Sequence, residues 1–508
     1  MLLGIDLGTS AAKVMAVTPE GRVLGTGTAG YPLHTPHPGW VEQAPADWWT
    51  AVKDATAQCL AQMTAGGNAA VGDIAAIGLS GHMSGLVLVN RDGAPVRPCI
   101  MLTDTRSQAQ SARLRQTVGK RARALSGNTP MDALLAPKLL WVKEEEPDTY
   151  AKAYSFLFPK DYIRFRLTGD FSTEQSDAGN TLFMDSRTGQ WDRKLMADMG
   201  LDPELAPAAA TSTTITGRLT PEAAAELGLS EGVPVVAGGA DMACSAVGIG
   251  AVEPGIVSVT IGTAAQVLAC VPDIDSQVGG QLTFHPHAEV GTLYALGSIF
   301  SGGLATSWLA KALGEEEDLR RDPGAYFEAL GRQAAAARPG SGGVVFLPFL
   351  VGSGSPFWNP RAQAGWVGLT VSSGRPEMVR SVLEGVAYNI RDSVEVLRLA
   401  GAPVKRVHIA GGGAGNAAWR QIIADLLGVP VFQPACRNTS AMGAAALAGI
   451  GLGLFRDMRD AVRALVTFSA PVEPNPQATE RYNHLYPVYR RIYASLEGAF
   501  EDLTRLKD

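Results

Sequence analysis

The stretch DLGTSAAKVMAV, Asp6 to Val17, decides the fold, because it recurs 254 positions later (260 minus 6) as TIGTAAQVLACV, Thr260 to Val271, without a gap. Each copy follows a β-rich apolar run and leads into another, Val14 to Val17 and Val267 to Val271. Each therefore reads as strand, tight Gly/Thr turn, strand. Such a turn aims backbone N–H groups and small hydroxyls at one spot, and a carboxylate at its mouth can hold a divalent cation. Gly262 and Thr263 match Gly8 and Thr9, while the Asp occurs only in the first copy, so metal handling is assigned to Asp6. A single turn of this kind is equally an ordinary hairpin. Two copies in one chain point instead to two similar domains facing a nucleotide between them.

At 508 residues the chain has room for roughly three domains, but the duplication argues for two. The first half opens with three strands, Leu2 to Ile5, Lys13 to Val17 and Arg22 to Gly25, then a helix over Ala46 to Ala65 and a buried strand over Ile74 to Leu79. Strands alternating with helices imply an α/β architecture. A further buried run, Val233 to Gly239, ends at Asp241, and the Gly/Pro-rich GIGAVEPG follows at Gly248 to Gly255. The boundary is expected there, giving residues 1–247 and 248–508. In the second half, SGGLATSWL starts at Ser301 and the Gly-rich turn of VHIAGGGAGN ends at Asn416. Helical patterns cover Pro376 to Leu399 and Ala418 to Leu427. The last stretch spaces Tyr482, Leu485, Tyr489, Tyr493, Leu496, Phe500 and Leu503 as one helical face, expected to be core, with Pro487 starting or kinking the helix.

Composition narrows the partners. With 43 basic and 49 acidic residues the net charge is −6, and no long basic block occurs, which argues against nucleic acid. No apolar run is long enough for a membrane span and no signal-peptide pattern opens the chain, so a cytoplasmic location is expected. The five cysteines, Cys59, Cys99, Cys244, Cys270 and Cys436, are scattered without CxxC spacing, which indicates buried thiols rather than disulfides or zinc ligands. His285 and His287, in FHPHAE, are a poor metal pair.

The residues resemble the FGGY carbohydrate kinases, within the superfold of actin, hexokinase and the chaperone ATPases. The resemblance runs essentially end to end. It rests most on AGWVGLTVSSGRPEMVRSVLE, Ala364 to Glu384, and in part on KLLWVKE, Lys138 to Glu144, where Leu135 departs from the family's Pro, Ser or Thr. PGWVEQAPADWW at Pro38, KDYIRFRLTG at Lys160, GGADMACSAVGIG at Gly238 and AWRQIIADLLGVPV at Ala418 are also typical. The resemblance implies an α/β fold of two actin/hexokinase-like (ribonuclease H-like) domains with a nucleotide cleft between them. The first domain would supply sugar, metal and base sites, the second the ATP site.

Phosphoryl transfer needs a phosphate cradle, a metal and a base beside the acceptor hydroxyl. The resemblance makes Asp241 the base, although its position before a small-residue helix also suits an N-cap. Asp6 would bind Mg²⁺, with Gly8, Thr9, Ser10 and Lys13 at the phosphates; Lys13 is equally readable as a solvated strand residue. Gly262 and Thr263 would meet the β- and γ-phosphates, and Gly411, Gly412, Gly413 and Asn416 would wall the adenosine, glycines allowing close approach. Gly302 and Gly303 would complete that pocket or pack a helix. Met83, Ser84, Asp104 with Arg106, Asp241 and Met242 would face the sugar. Arg380 and Glu384, four apart, read as a structural ion pair.

Three departures concern the acceptor: Ser84 stands where such kinases carry His, Met242 where they carry Asn, and GSGSP at Gly352 replaces a Gly-Glu-Arg-Thr-Pro loop. The implied activity is transfer of the γ-phosphoryl of ATP to a ketopentose, D-xylulose first, with another ketose or a polyol such as ribulose or glycerol as the alternative. A protein-binding actin- or chaperone-like ATPase is the rival of another class. A homodimer is compatible with this reading.

Overall fold

The structure, a computed structural model, describes residues 1–506 apart from 66, 68 and 276. One mixed sheet uses β1 (Leu2–Leu7), β2 (Ala11–Val17), β3 (Val23–Gly30), β4 (Ala76–Gly81), β5 (Ile215–Arg218), β6 (Pro234–Val236) and β7 (Gly239–Ala240), in the order β5-β6-β4-β1-β2-β3 with β7 beside β4. A second uses β8 (Gly255–Ile261), β9 (Ala265–Val271), β10 (Thr283–Pro286), β11 (Leu293–Ile299), β12 (Val404–Ala410) and β13 (Val431–Phe432), in the order β10-β11-β9-β8-β12-β13. In each, the strand entering the Gly/Thr turn is antiparallel to the strand leaving it and parallel to a strand on its other side, β4 or β12. The repeat in the sequence is thus a repeat in topology.

Strand ends differ from the apolar runs. The strand expected at Ile74 to Leu79 lies at Ala76–Gly81, because Ser80 and Gly81 are paired on both sides, with Asp6 and Leu7 and with Gly239 and Ala240. The run Val233 to Gly239 breaks into β6 and β7 at Gly238, whose φ is +82°.

The helices used below are α1 (Pro45–Ala65), α2 (Leu135–Glu145), α3 (Pro159–Thr168), α4 (Gln175–Ala178), α5 (Asp241–Gly248), α6 (Gly303–Ala312), α7 (Arg375–Leu399), α8 (Ala417–Leu427), α9 (Thr439–Gly451) and α10 (Pro476–Arg505). α9 belongs to the second half of the chain yet packs on β1 and β4 of the first sheet and on α5. A Cβ on Gly4 would lie 2.0 Å from the Ala441 carbonyl oxygen, and one on Gly78 1.8 Å from that of Ala444. Only glycine lets this helix and sheet approach so closely.

α10 corrects the expectation at Pro487. The helix starts eleven residues earlier, at Pro476, capped by the Asn475 side chain, and runs through Pro487. Loss of one N–H is outweighed by the packed stripe of Tyr482, Tyr489, Tyr493 and Phe500, all buried, whereas Leu503 at its end is exposed. Arg380 and Glu384 on α7 are an ion pair at 2.7 Å, buried, and both bond the Tyr482 hydroxyl.

Candidate active site

Strand register brings the acids together. Asp6 pairs with Ser80, and Ser80 with Gly239, so Asp241, two residues past Gly239, emerges at the same sheet end as Asp6. The Ser80 hydroxyl donates to Asp6 Oδ1 at 2.9 Å, and Lys13 Nζ lies 4.0 Å from Oδ2. Asp241 is the first residue of α5; Ala240 holds the N-cap position, and the Asp241 carboxylate accepts only its neighbour Met242 N–H, at 2.8 Å. The capping alternative is therefore not what this side chain does. Asp6, Lys13 and Asp241 line a cavity of about 230 Å³ together with Thr260, Gly411 and Arg437 from the second half.

Burial raises the Asp6 carboxyl above its ordinary range, against the pull of Lys13 and the Ser80 hydroxyl. Burial first, then the charge of Asp6, pushes Asp241 up to about 7. A carboxyl poised there can take a proton near neutral pH. Two carboxylates with a hydroxyl are hard oxygen donors and fit Mg²⁺, which keeps most of its waters and needs one or two carboxylates beside phosphate oxygens. Among the described residues no cluster of three or more His, Cys, Asp or Glu forms an all-protein metal cage.

Each turn closes on an internal bond of its first glycine, one residue different in reach: Gly8 N–H donates to Ala11 C=O at 3.0 Å, and Gly262 N–H to Ala264 C=O at 2.9 Å. Gln43 Nε2 holds Thr9 C=O at 2.8 Å and the Tyr31 hydroxyl holds Gly8 C=O. Gly8 and Gly262 thus contribute smallness rather than a donor, while Thr9, Ser10 and Thr263 are exposed at the turns.

Gly262, Thr263, Gly303, Gly412, Gly413 and Asn416 line a pocket of about 250 Å³, with Phe327 and Trp419 as apolar walls. An adjoining pocket of about 570 Å³ shares Phe327, Gly412 and Asn416 and reaches Gly411 and Arg437, which border the central cavity. One path thus runs from the glycine-walled pocket to the acids. Gly411 has φ +84°, and a Cβ there would stand 2.5 Å from the Ile261 carbonyl oxygen. Asn416 caps α8 through Trp419 N–H and donates to Phe327 C=O, so it shapes the wall. Gly302 is a correction: its Cβ would meet the Ala264 carbonyl carbon at 2.7 Å, and its N–H bonds Thr263 C=O, so it packs α6 against the turn and does not line the pocket. Phe327, Arg437 and Thr260 carried no local motif that names them, although Thr260 occupies the place of Asp6 in the repeat.

On the acceptor side, Ser84 has φ +63° and is clamped at both backbone atoms. Its N–H donates to Asp177 Oδ1 at 3.2 Å, and its C=O accepts Lys138 Nζ at 2.8 Å. Met83 is buried and Met242 packs in the same cluster. Asp104 departs from expectation. Its carboxylate accepts Arg106 Nε and Nη2 and Val41 N–H, and Arg106 in turn lies over the Trp40 ring at 3.8 Å, so the pair braces the loops instead of offering hydroxyl contacts. Behind Ser84 sits a buried ionic group in which Lys160 approaches Asp161 at 2.8 Å, Glu174 at 3.2 Å and Asp177 at 3.4 Å, with Arg164 on Asp161. Three carboxyls face two cations, and burial holds Asp177 well above the usual carboxylate range, so it takes the proton. His285 and His287 are buried, their imidazoles pushed down by burial to about 3 and about 4, and they pack on Tyr294 rather than forming a metal cluster. Four cysteines are buried and Cys436 is partly exposed; all are free thiols.

The model of the FGGY carbohydrate kinase N-terminal domain matches residues 1–248, and that of the C-terminal domain residues 257–452. The chain belongs to the FGGY family of carbohydrate kinases. Xylulose kinase of Bacillus subtilis is 32% identical over 97% of this chain and 96% of that protein. The crystal structure of xylulose kinase from Rhodospirillum rubrum has a TM-score of 0.88 at 31% identity, covering 98% and 99% of the two chains. Gluconokinase of Bacillus subtilis is 27% identical over 99% of this chain and 97% of its own. This carbohydrate kinase therefore has the two-domain α/β fold of the family and uses ATP as phosphoryl donor; the rival class of protein-binding ATPase is set aside. No helix among the described residues is long and apolar enough to cross a membrane.

Proposed function

We propose that this kinase transfers the γ-phosphoryl of ATP to a neutral ketopentose, D-xylulose first, giving D-xylulose 5-phosphate. The observation that carries the reading is the 230 Å³ cavity in which Asp241, Asp6 and Lys13 face Thr260, Gly411 and Arg437 across the two halves. Residues 1–247 then supply base, metal and acceptor groups, and 248–508 the nucleotide pocket. The acceptor oxygen bonds to the γ-phosphorus as the bond to the β-phosphate oxygen breaks, and the hydroxyl proton passes to Asp241. Thr9, Ser10, Lys13, Thr263 and Arg437 would supply donors to the phosphate oxygens. Asp6 would hold Mg²⁺, which when bound supplies charge neutralisation for the phosphates.

Charge supports a neutral acceptor over an aldonate. Asp6 and Asp241 line the cavity, and the cations behind Ser84 are engaged: Lys160 by three carboxyls, Lys138 by the carbonyls of Ser84 and Ala133, Arg106 by Asp104. A second reading, another ketose or a polyol, is favoured by Ser84 and Met242, which present less polarity than His and Asn. A cytoplasmic, homodimeric enzyme fits either reading. The test is ADP release with D-xylulose, D-ribulose, glycerol, hexoses and gluconate as acceptors. Turnover on gluconate alone, or on none, overturns the proposal.

A further inference from the structure

Around the acceptor side the buried Ser84 Oγ and Tyr294 hydroxyl have no hydrogen-bond partner among the described residues, and Asp177 Oδ2 accepts no hydrogen bond and has only the ion-pair contact of Lys160 Nζ at 3.4 Å. Native proteins rarely leave such atoms unmet unless something else meets them. They come from three separate places, the turn after β4, α4 and β11. Tyr294 is the unexpected one, because β11 lies in the half of the chain assigned to the nucleotide.

Its direction follows from the sheet. Tyr294 pairs in register with Cys270 on β9 and His285 on β10, and it stacks on His285 with centroids 5.1 Å apart. These side chains leave the sheet face turned toward the first half, since Tyr294 shares a buried cluster with Met83, Ala240 and Cys244, with Met242 packed against it. α4, which carries Asp177, is wedged between β7 and β10. The Gly179 that ends it has no room for a Cβ, which would lie 2.4 Å from Pro286 Cδ. Burial, then the neighbouring carboxyls of Asp241 and Asp177, keep the phenol protonated, so it is a fixed donor.

We propose that Tyr294 and Asp177 bind the acceptor's hydroxyls beyond the one that reacts, so that the second half of the chain takes part in sugar recognition. This rests on the acceptor site proposed above. The unpartnered O–H of Tyr294 and Oδ2 of Asp177, approached only by Lys160, would form the polar part of that site, with Met83 and Met242 as its apolar part. A polyhydroxylated acyclic chain supplies the missing partners along one edge and a carbon skeleton along the other. This also explains how a kinase with Ser84 and Met242 retains polar recognition of a sugar.

The experiment titrates D-xylulose, or whichever screened acceptor the wild type phosphorylates, into wild type, Tyr294→Phe and Asp177→Asn, with ATP titrations and thermal unfolding alongside. Tyr294→Phe should weaken sugar binding roughly 2- to 12-fold, the worth of one neutral hydrogen bond. It should leave ATP binding unchanged and not lower the Tm, because the phenol donates to nothing within the protein. Among singly deoxygenated acceptors, one should bind wild type and Tyr294→Phe equally. Should Asp177→Asn disturb the ionic group and fail to fold, Tyr294→Phe alone decides. Unchanged sugar affinity would mark a buried-water site only and overturn the inference, as would equal losses for sugar and ATP. If wild type phosphorylates no sugar or polyol, the functional reading falls and this inference with it; if it does so and Tyr294→Phe is indifferent, this inference alone falls.

Discussion

Asp241→Asn should stabilise the metal-free protein above neutral pH while removing nearly all turnover. The Asp241 carboxyl is moved from its ordinary 3.8 to about 7, first by burial and then by Asp6. A carboxyl whose folded pKa lies above its unfolded one is harder to ionise in the fold. Below pH about 4 it is protonated in both states and nothing is lost; between about 4 and about 7 the unfolded chain ionises while the folded carboxyl keeps its proton, so stability falls across that interval and levels off above about 7. At about 1.4 kcal/mol per pH unit the full interval corresponds to about 4 kcal/mol, and partial solvent access of Asp241 reduces this to about 2 kcal/mol. Asn keeps an oxygen for Met242 N–H without the charge.

The assay is unfolding of wild type and Asp241→Asn in chelator from pH 4 to pH 8.5. The two should coincide at the acid end and diverge in favour of Asn toward the alkaline end. Phosphorylation should fall about 10²- to 10⁴-fold in the variant, and in wild type kcat/KM should climb with pH through about 7. A stability difference independent of pH would refute the electrostatic argument. Near-wild-type kcat in folded Asp241→Asn would refute the base.

Asp6→Asn should depress metal-dependent turnover far more than sugar affinity; a defect confined to the sugar KM that excess Mg²⁺ and ATP leave untouched counts against the metal role. Phe327→Ala should raise the KM for ATP about fivefold, for a loss near 1 kcal/mol, with sugar KM steady; an unchanged ATP KM removes Phe327 from the nucleotide wall. Gly78→Val would drive side-chain atoms into the Ala444 carbonyl and should cost about 3 kcal/mol or more, read as a lowered denaturation midpoint; an unchanged midpoint means that α9 does not pack as described. Ser84→His with Met242→Asn should raise kcat/KM for D-xylulose, because His reaches farther than the short Ser84 hydroxyl and Asn adds a polar partner that Met242 lacks. Exclusive D-xylulose activity in wild type, lost in the double variant, contradicts those two roles.

What was legible in the sequence lies at strand ends. Asp6, Lys13, Asp241 and the turn glycines are read correctly as neighbours because a repeated strand-turn-strand pattern and a buried run ending in Asp each carry a local signal. What was not legible is set by pairing between distant segments. Asp104 and Arg106 look like hydroxyl binders two residues apart, yet at that spacing the carboxylate folds onto its own guanidinium. Gly302 looks like part of a glycine-walled pocket, but whether it faces ligand or Ala264 depends on where α6 lands. Phe327 and Arg437 sit in segments with no motif, and only the packing of distant segments brings them to the pockets they line. Pro487 fails as a helix start for the opposite reason: its local rule is strong, but the buried tyrosines of α10 carry the helix through it.

The duplication also explains why one carboxylate had to go. Thr260 stands in the second sheet where Asp6 stands in the first, Ala410 where Ser80 stands, and Gly411 where Gly81 stands. Asp6 and Thr260 line the same cavity from the two halves of the chain. An Asp at 260 would place a third carboxyl around about 230 Å³, lift Asp241 still further from neutrality and repel the incoming polyphosphate. Thr260 instead offers a buried hydroxyl with no protein partner. A repeated scaffold thereby becomes directional: the first half contributes Asp6 and Asp241 to the cavity, and the second half contributes Thr260 where the repeat would place an acid.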